Sequence, residues 1–161
     1  MCENYKSKRR APAAPGNSRC GRQPLAEAFI KEGMAVIQPL DDRVRQALTR
    51  SQLIDMTTTG RTSGEPRRIE IVLHNIDGRL YISGRPSPHK RKWIANLEAD
   101  PRLTVHLKRS VRADLPARAR IISDETERRS VLGHVARAWN VRDVEPMVRH
   151  SPLIEVTPDP N

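Results

Sequence analysis

Aromatic side chains are scarce: one phenylalanine, two tyrosines and two tryptophans in 161 residues. Single-stranded nucleic-acid binders stack bases on several aromatics sharing one face. Only Tyr81 falls inside a predicted strand of the fold, and no nucleic-acid motif appears, so nucleic acid is not the expected partner. Cysteine is almost absent too. Cys2 and Cys20 both lie in the N-terminal segment, which leaves the rest of the chain without disulfide or thiolate metal site and fits a reducing compartment. No apolar run approaches the roughly 18 residues that span a bilayer, and residues 1–33 lack the apolar stretch of about 7 to 15 residues of a secretory signal. A cytoplasmic protein is expected, and nothing indicates a membrane surface as partner.

Catalytic signals are missing as well. There is no G-x-G-x-x-G, the run Gly60-Arg61-Thr62-Ser63-Gly64 is too short for a P-loop, and no nucleophile elbow occurs. His74, His89, His106, His134 and His150 are scattered, with no pair at metal-binding helical spacing, so no metal is expected. His74 and His106 read as ordinary strand residues. A protein that does chemistry without its own acid, base or nucleophile usually borrows a cofactor.

Positive charge is what the chain has in excess. Lys plus Arg number 29 against 19 Asp plus Glu, a formal charge of +10, which attracts anions without choosing among phosphate, carboxylate, nucleic acid or anionic lipid. Seven of the cations lie in residues 1–33 with three glutamates and scattered Pro and Gly, the composition of a disordered basic tail. The ordered pattern begins after it, so Met34 is a candidate natural start, checked by the intact mass of native protein. Residues 34–161 have the length of one domain, with a core of Val, Ile and Leu.

The pattern within that domain is regular. Asp41 and Asp42 suit a helix start, and Leu40, Val44, Ala47 and Leu48 form its apolar stripe. Residues 53–59 and 67–76 are β-rich, with Ile69, Ile71 and Leu73 alternating against Arg68, Glu70, Val72 and His74. Asp77-Gly78 predicts a tight hairpin into residues 79–84. Residues 87–101 predict a helix with Ser87 as N-cap, Pro88 in its first position and Pro101 past its end. Residues 102–109 and 117–123 read as strands. Asp124 and Glu127 form a capping box before a helix carrying Val131, Leu132, Val135, Ala136 and Trp139, and residues 152–158 close the chain as a strand. The order α, β, β, β, α, β, β, α, β, with hairpin-joined strands, predicts a small antiparallel barrel rather than a parallel doubly wound sheet.

Two stretches suit an anion. In MTTTGRTSGEPRR (56–68), Gly60 and Gly64 let backbone N–H groups face outward, Thr59, Thr62 and Ser63 add hydroxyls, and Arg61 and Arg67 bracket the turn. Arginine's planar fork matches phosphate oxygens. A phosphate cradle and a merely solvated hairpin both remain open for this loop alone. At the predicted helix start, Lys90, Arg91 and Lys92 follow Arg85 and crowd the positive end of the helix dipole, each disfavoured by roughly 0.3–1 kcal/mol. Charge-assisted bonds to a bound anion return about 1.5–3 kcal/mol each. Such a conflict between local rule and sequence marks functional sites.

TTTGRTSGEPR (57–67), DGRLYISG (77–84) and WIANLEADPRLTVHL (93–107) resemble the deazaflavin-dependent nitroreductase family, part of the flavin/deazaflavin oxidoreductases, over about residues 41–157. The resemblance implies an α+β, mainly β fold, the split β-barrel similar to pyridoxamine-phosphate oxidase, with short flanking helices and assembled as a homodimer. It implies coenzyme F420, whose phosphate and acidic tail would be held by Thr59, Gly60, Arg61, Ser63, Gly64 and Arg67, with Lys90, Arg91 and Trp93 from the second segment. It implies hydride transfer to a small-molecule electron acceptor such as a quinone or nitro compound. The motif around Asn96 and Pro101 matches too, where a helix end packed on the barrel is an equal reading. Thr62 stands where relatives often carry lysine, and Gly84-Arg85-Pro86 where they are richer in glycine, so FMN stays open beside F420. The C-terminal tyrosines of the best-known members are absent, with Trp139 the aromatic nearest that place. A cofactor carrier without turnover and a nucleic-acid-binding module are the readings from another class.

Overall fold

The computed structural model describes residues 40–160; the expected basic tail and the Met34 start lie outside the described residues. Helix α1 (Asp42–Ala47) opens with Asp41, whose carboxylate accepts from the Arg43 N–H at 2.9 Å. Six residues are too few for a helix to stand alone. It holds by burying Val44 and Ala47 against the barrel.

The barrel is built from β1 (Gln52–Thr59), β2 (Pro66–Ile76), β3 (Arg79–Ser83), β4 (Arg102–Lys108), β5 (Arg112–Ile121) and β6 (Leu153–Pro158). Neighbours run β1-β2-β3-β6-β5-β4, every pair antiparallel, and β4 returns to β1. Closure leaves no unpaired edge. Inside, Ile54, Met56, Leu73, Ile82, Val105 and Ile154 are all at most 2% exposed. The aliphatic core that the composition demanded is present, each such side chain contributing about 1.5–3 kcal/mol by burial. The β2–β3 turn carries positive φ at both Asp77 (52°) and Gly78 (81°), the twist-matched hairpin that this dipeptide favours.

Helix α2 (Lys92–Ala99) crosses between β3 and β4. It starts four residues later than the sequence pattern predicts, its first helical residue being Lys92 rather than Pro88. Ser87 is not its cap: the hydroxyl donates to the His89 carbonyl at 3.0 Å and accepts the His89 N–H, closing a local turn. The N-cap is Arg91, with no side-chain cap bond, so Lys90 precedes the helix and only Lys92 sits in its first turn.

Strand β5 also differs, beginning at Arg112 rather than at Ala117. Asp114 and Pro116 carry turn character in sequence, yet Pro116 pairs with Thr104 in the ladder. Its carbonyl accepts from the Asp159 N–H at 2.8 Å on the β6 side. The missing N–H therefore falls beyond the end of the β5–β6 ladder, where proline is tolerated.

Helix α3 (Glu125–Ala138) is capped by Asp124, which accepts from the Glu127 N–H at 2.8 Å. Glu127 does not complete a capping box; its carboxylate holds Arg120 instead. A further helix, α4 (Glu145–His150), absent from the sequence reading, packs on α3. Both cover a second cluster of Tyr81, Ile122, Leu132, Val135, Met147 and Leu153. That cover explains why β2's alternation breaks at its end: His74 faces the helices, 3% exposed, tilted against Trp139 at 5.6 Å between ring centroids. Among the described residues, no helix is long and apolar enough to cross a membrane.

Candidate functional site

The site forms where β1 hands over to β2. Thr59 and Pro66 are the last ladder pair, and the six residues between close with two backbone bonds, Gly60 N–H to the Glu65 carbonyl and Gly64 N–H to the Gly60 carbonyl, both 2.8 Å. Each glycine has a different reason to be there. Gly64 has φ of 69°, in the left-handed region. Gly60 is buried, and a Cβ on it would lie 2.7 Å from Ser63 Oγ and 3.1 Å from the Glu65 carbonyl oxygen.

Asn96 fixes this turn to α2. It is 7% exposed; its amide donates to Thr58 Oγ1 and its carbonyl accepts the Arg61 N–H, both at 3.1 Å. One side chain thus satisfies a hydroxyl on the barrel wall and a donor in the turn. The Thr62 and Ser63 N–H groups take no acceptor among the described residues. Ser63 Oγ instead accepts from Arg67 Nη2 and from the Glu65 N–H, each at 3.3 Å, which holds Arg67 over the turn.

Between turn and helix opens a cleft of about 810 Å³, with Arg61, Arg67, Lys92, Trp93 and Ile69 around it. Of the residues proposed from sequence, Gly60, Arg61, Ser63, Arg67, Lys90 and Trp93 line this cleft. Thr59 and Gly64 shape the turn without lining it, and Arg91 turns to a neighbouring groove. Lys90 is not a free cation: its Nζ bonds both Glu98 carboxylate oxygens, at 2.8 and 3.0 Å. The crowding of charge at the α2 start is thereby reduced to Arg91 and Lys92. Sequence reasoning missed Thr58 and Arg68 as lining residues, counted Lys92 among the cations of the helix start without assigning it to the cofactor, and left Asn96 undecided. Arg68 reaches the rim but is spent on Asp55, at 2.9 and 3.0 Å. Hydrogen bonds from Lys108 and then from Arg68 hold the Asp55 carboxyl below the usual carboxylate range. Arg61, Arg67 and Lys92 have no carboxylate partner among the described residues.

His106 does more than a plain strand residue. Its Nε2 lies 2.8 Å from Thr57 Oγ1 and its Nδ1 2.6 Å from Asp114 Oδ1, a chain across β1, β4 and β5 on the outer wall. It borders neither the cleft nor the groove, so it clamps strands. Among the described residues, no three His, Cys, Asp or Glu side chains gather as a metal site.

A closed six-stranded antiparallel barrel with short flanking helices defines the class by architecture, a split β-barrel, here with a cationic cleft at the β1–β2 turn. Solved structures share this frame. The chain is similar to a pyridoxamine 5′-phosphate oxidase assignment from Listeria innocua (TM-score 0.56, 13% identity, 73% of this chain and 92% of that one). It is similar to a conserved hypothetical protein from Mycobacterium tuberculosis (0.57, 17%, 78% and 84%). An F420-H2 dependent reductase matches at 0.50 and 23% identity, over 65% and 93% of the two chains. At these identities the likeness concerns fold alone. The family described as F420H(2)-dependent quinone reductase matches residues 30–150, and the chain belongs to that family. No curated protein sequence matches it.

Proposed function

We propose that the protein is an oxidoreductase that binds reduced F420 in the β1–β2 cleft and passes a hydride to a quinone, nitro compound or other electron-poor acceptor. The observation that carries this reading is the set of uncompensated cations, Arg61, Arg67 and Lys92, around a glycine turn whose backbone is locked by Asn96. The residues fit a phosphate-bearing cofactor. Arg67, steadied by Ser63, and Arg61 would grip phosphate oxygens, and the Thr62 and Ser63 N–H groups would donate to the same anion.

When bound, reduced deazaflavin supplies the hydride. The chain's own contribution is placement and exclusion of water. Half-buried Trp93 and Ile69 give the cleft an apolar wall beside its cationic rim. Asn96 transmits the rigidity of the barrel to the turn, so the anion-binding groups cannot drift relative to that wall. No side chain in the cleft is placed as a general acid. We further propose that the protein acts as a cytoplasmic homodimer, which light scattering on the purified chain would check.

The test is separate titration with F420 and FMN, followed by fluorescence at low and high salt, and then assay of quinone reduction by the reduced cofactor. F420 binding that weakens in Arg61→Ala and Arg67→Ala, with turnover of a quinone, is the expected result. Binding of FMN alone moves the cofactor assignment to flavin. Binding without turnover of any acceptor makes the protein a carrier, and salt-sensitive DNA binding with neither cofactor overturns the proposal.

A further inference from the structure

Ser151 ends α4 and is 3% exposed, yet its hydroxyl has no hydrogen-bond partner among the described residues. A buried hydroxyl left unpaired is costly and calls for an explanation. Ser151 lines a groove of about 420 Å³ bounded by the start of α2, the end of β5 and the end of α4. The groove adjoins the cleft at Lys90, which lines both, but Arg61 and Arg67 take no part in it.

Its electrostatics are one-sided. Arg128, half-buried, donates to the carbonyls of Ile122 and Val148 at 2.8 Å and of Ser151 at 2.6 Å, with no carboxylate among its acceptors. Its positive charge is held in place and not neutralised, and burial pushes its pKa below the usual guanidinium value. Arg91 and Arg149 stand exposed on the groove and form no ion pair among the described residues; Glu145, the acid that Arg149 senses, is paired to Arg129. Glu98 is the one acid on the lining, and Lys90 already occupies it. The uncapped N-terminus of α2 adds its dipole to the same side.

We infer that this groove is a second anion site, which takes a phosphate or carboxylate group on Arg91, Arg149 and the Ser151 hydroxyl. Arg128 is its fixed positive floor. The buried hydroxyl gains the acceptor it lacks, and the exposed arginines gain a shared counter-charge. This site adjoins the proposed cofactor cleft at Lys90 but uses neither Arg61 nor Arg67, and it needs no redox chemistry.

The test uses the full chain in chloride buffer, with inorganic phosphate and citrate titrated separately by calorimetry and by amide chemical shifts. Arg61→Ala/Arg67→Ala silences the first cleft and is expected to leave binding at the groove intact, with shifts at Ser151 and Arg91. Arg91→Gln/Arg149→Gln is expected to weaken it by at least about tenfold, and Ser151→Ala by about three- to tenfold. Ser151→Ala also separates a binding role from a structural one: without anion its melting temperature stays level or rises, because an unpaired buried hydroxyl has gone. Phosphate binding without citrate assigns the site to phosphate groups, and citrate binding without phosphate assigns it to carboxylates. Absence of both at millimolar anion, or unchanged affinity in the Ser151 and double arginine variants, overturns the inference.

Discussion

Arginine has two fates on either side of β2. On the barrel's outer wall the guanidinium groups are answered by carboxylates: Arg68 shares Asp55 with Lys108, which also holds Glu70, and Arg120 joins Glu127 and Glu155 across β5, α3 and β6. At the β1–β2 turn, Arg61 has no acidic partner among the described residues and Arg67 finds only the Ser63 hydroxyl. The same residue type therefore stitches secondary structure in one place and is left without a counter-charge in the other, where the proposed function puts a ligand. Net charge of +10 did not separate these fates; pairing does. An exposed ion pair adds about 0–1 kcal/mol to stability, whereas an arginine kept unpaired at a preorganised turn puts its interaction energy into binding.

The contrast can be broken most directly at the turn. Arg61→Ala/Arg67→Ala should weaken F420 binding by about 100-fold or more, two charge-assisted bonds being lost, with the urea midpoint unmoved; fluorescence titration and urea unfolding read both. Asn96→Ala should cost about 2–3 kcal/mol in urea unfolding, because the Thr58 hydroxyl and the Arg61 N–H lose their partner together. A turn freed in this way should also bind more weakly even with both arginines present. Gly60→Ala should cost about 1–3 kcal/mol, since the new methyl group meets Ser63 Oγ and the Glu65 carbonyl.

Away from the turn, pH gives a gentler probe. Burial lowers the pKa of His74 below its ordinary 6.5, so the unfolded chain takes up the proton first as pH falls. The stability contributed by neutral His74 is complete above pH 6.5 and is lost as pH drops below it, at no more than about 1.4 kcal/mol per pH unit. His74→Phe should flatten that part of the curve in thermal melts taken between pH 7 and 5. The smallest effect belongs to the stitched side: Arg120→Ala should change stability by about 1 kcal/mol or less and leave cofactor affinity where it was. Loss of binding in that variant would erase the distinction between the two sets of arginines.

The barrel was legible because its signals are local. Alternation in β1, β2 and β4 and the Asp77-Gly78 dipeptide each act within a few residues, and a meander joined to two further hairpin-type strands leaves few ways to close. The misreadings came where one local signal imitated another. Ser87-Pro88 has the letters of a helix start, but the serine spends its hydroxyl on His89. Pro116 has the letter of a strand break, but its nitrogen faces a place where no ladder bond is due. Helix α4 spans only six residues, too few for a periodic stripe to be seen. At the site, the glycine turn and its arginines are contiguous in sequence and could be found there. Asn96 bridges residues 35 and 38 positions away, and the capture of Lys90 by Glu98 depends on how the chain runs into α2. Neither follows from spacing. Arg91 adjoins Lys90 and Lys92 in sequence yet faces the other groove, because residues beside a helix start splay in different directions.

Closure of the barrel has an evolutionary side. Since every strand has both neighbours, ligand preference can be rewritten at the rim without touching what makes the chain fold. Thr62 is exposed and its hydroxyl has no partner among the described residues. Threonine and lysine are therefore interchangeable there at little structural cost, so the letter at 62 is free to vary on the lining of the cleft while the barrel beneath it stays the same.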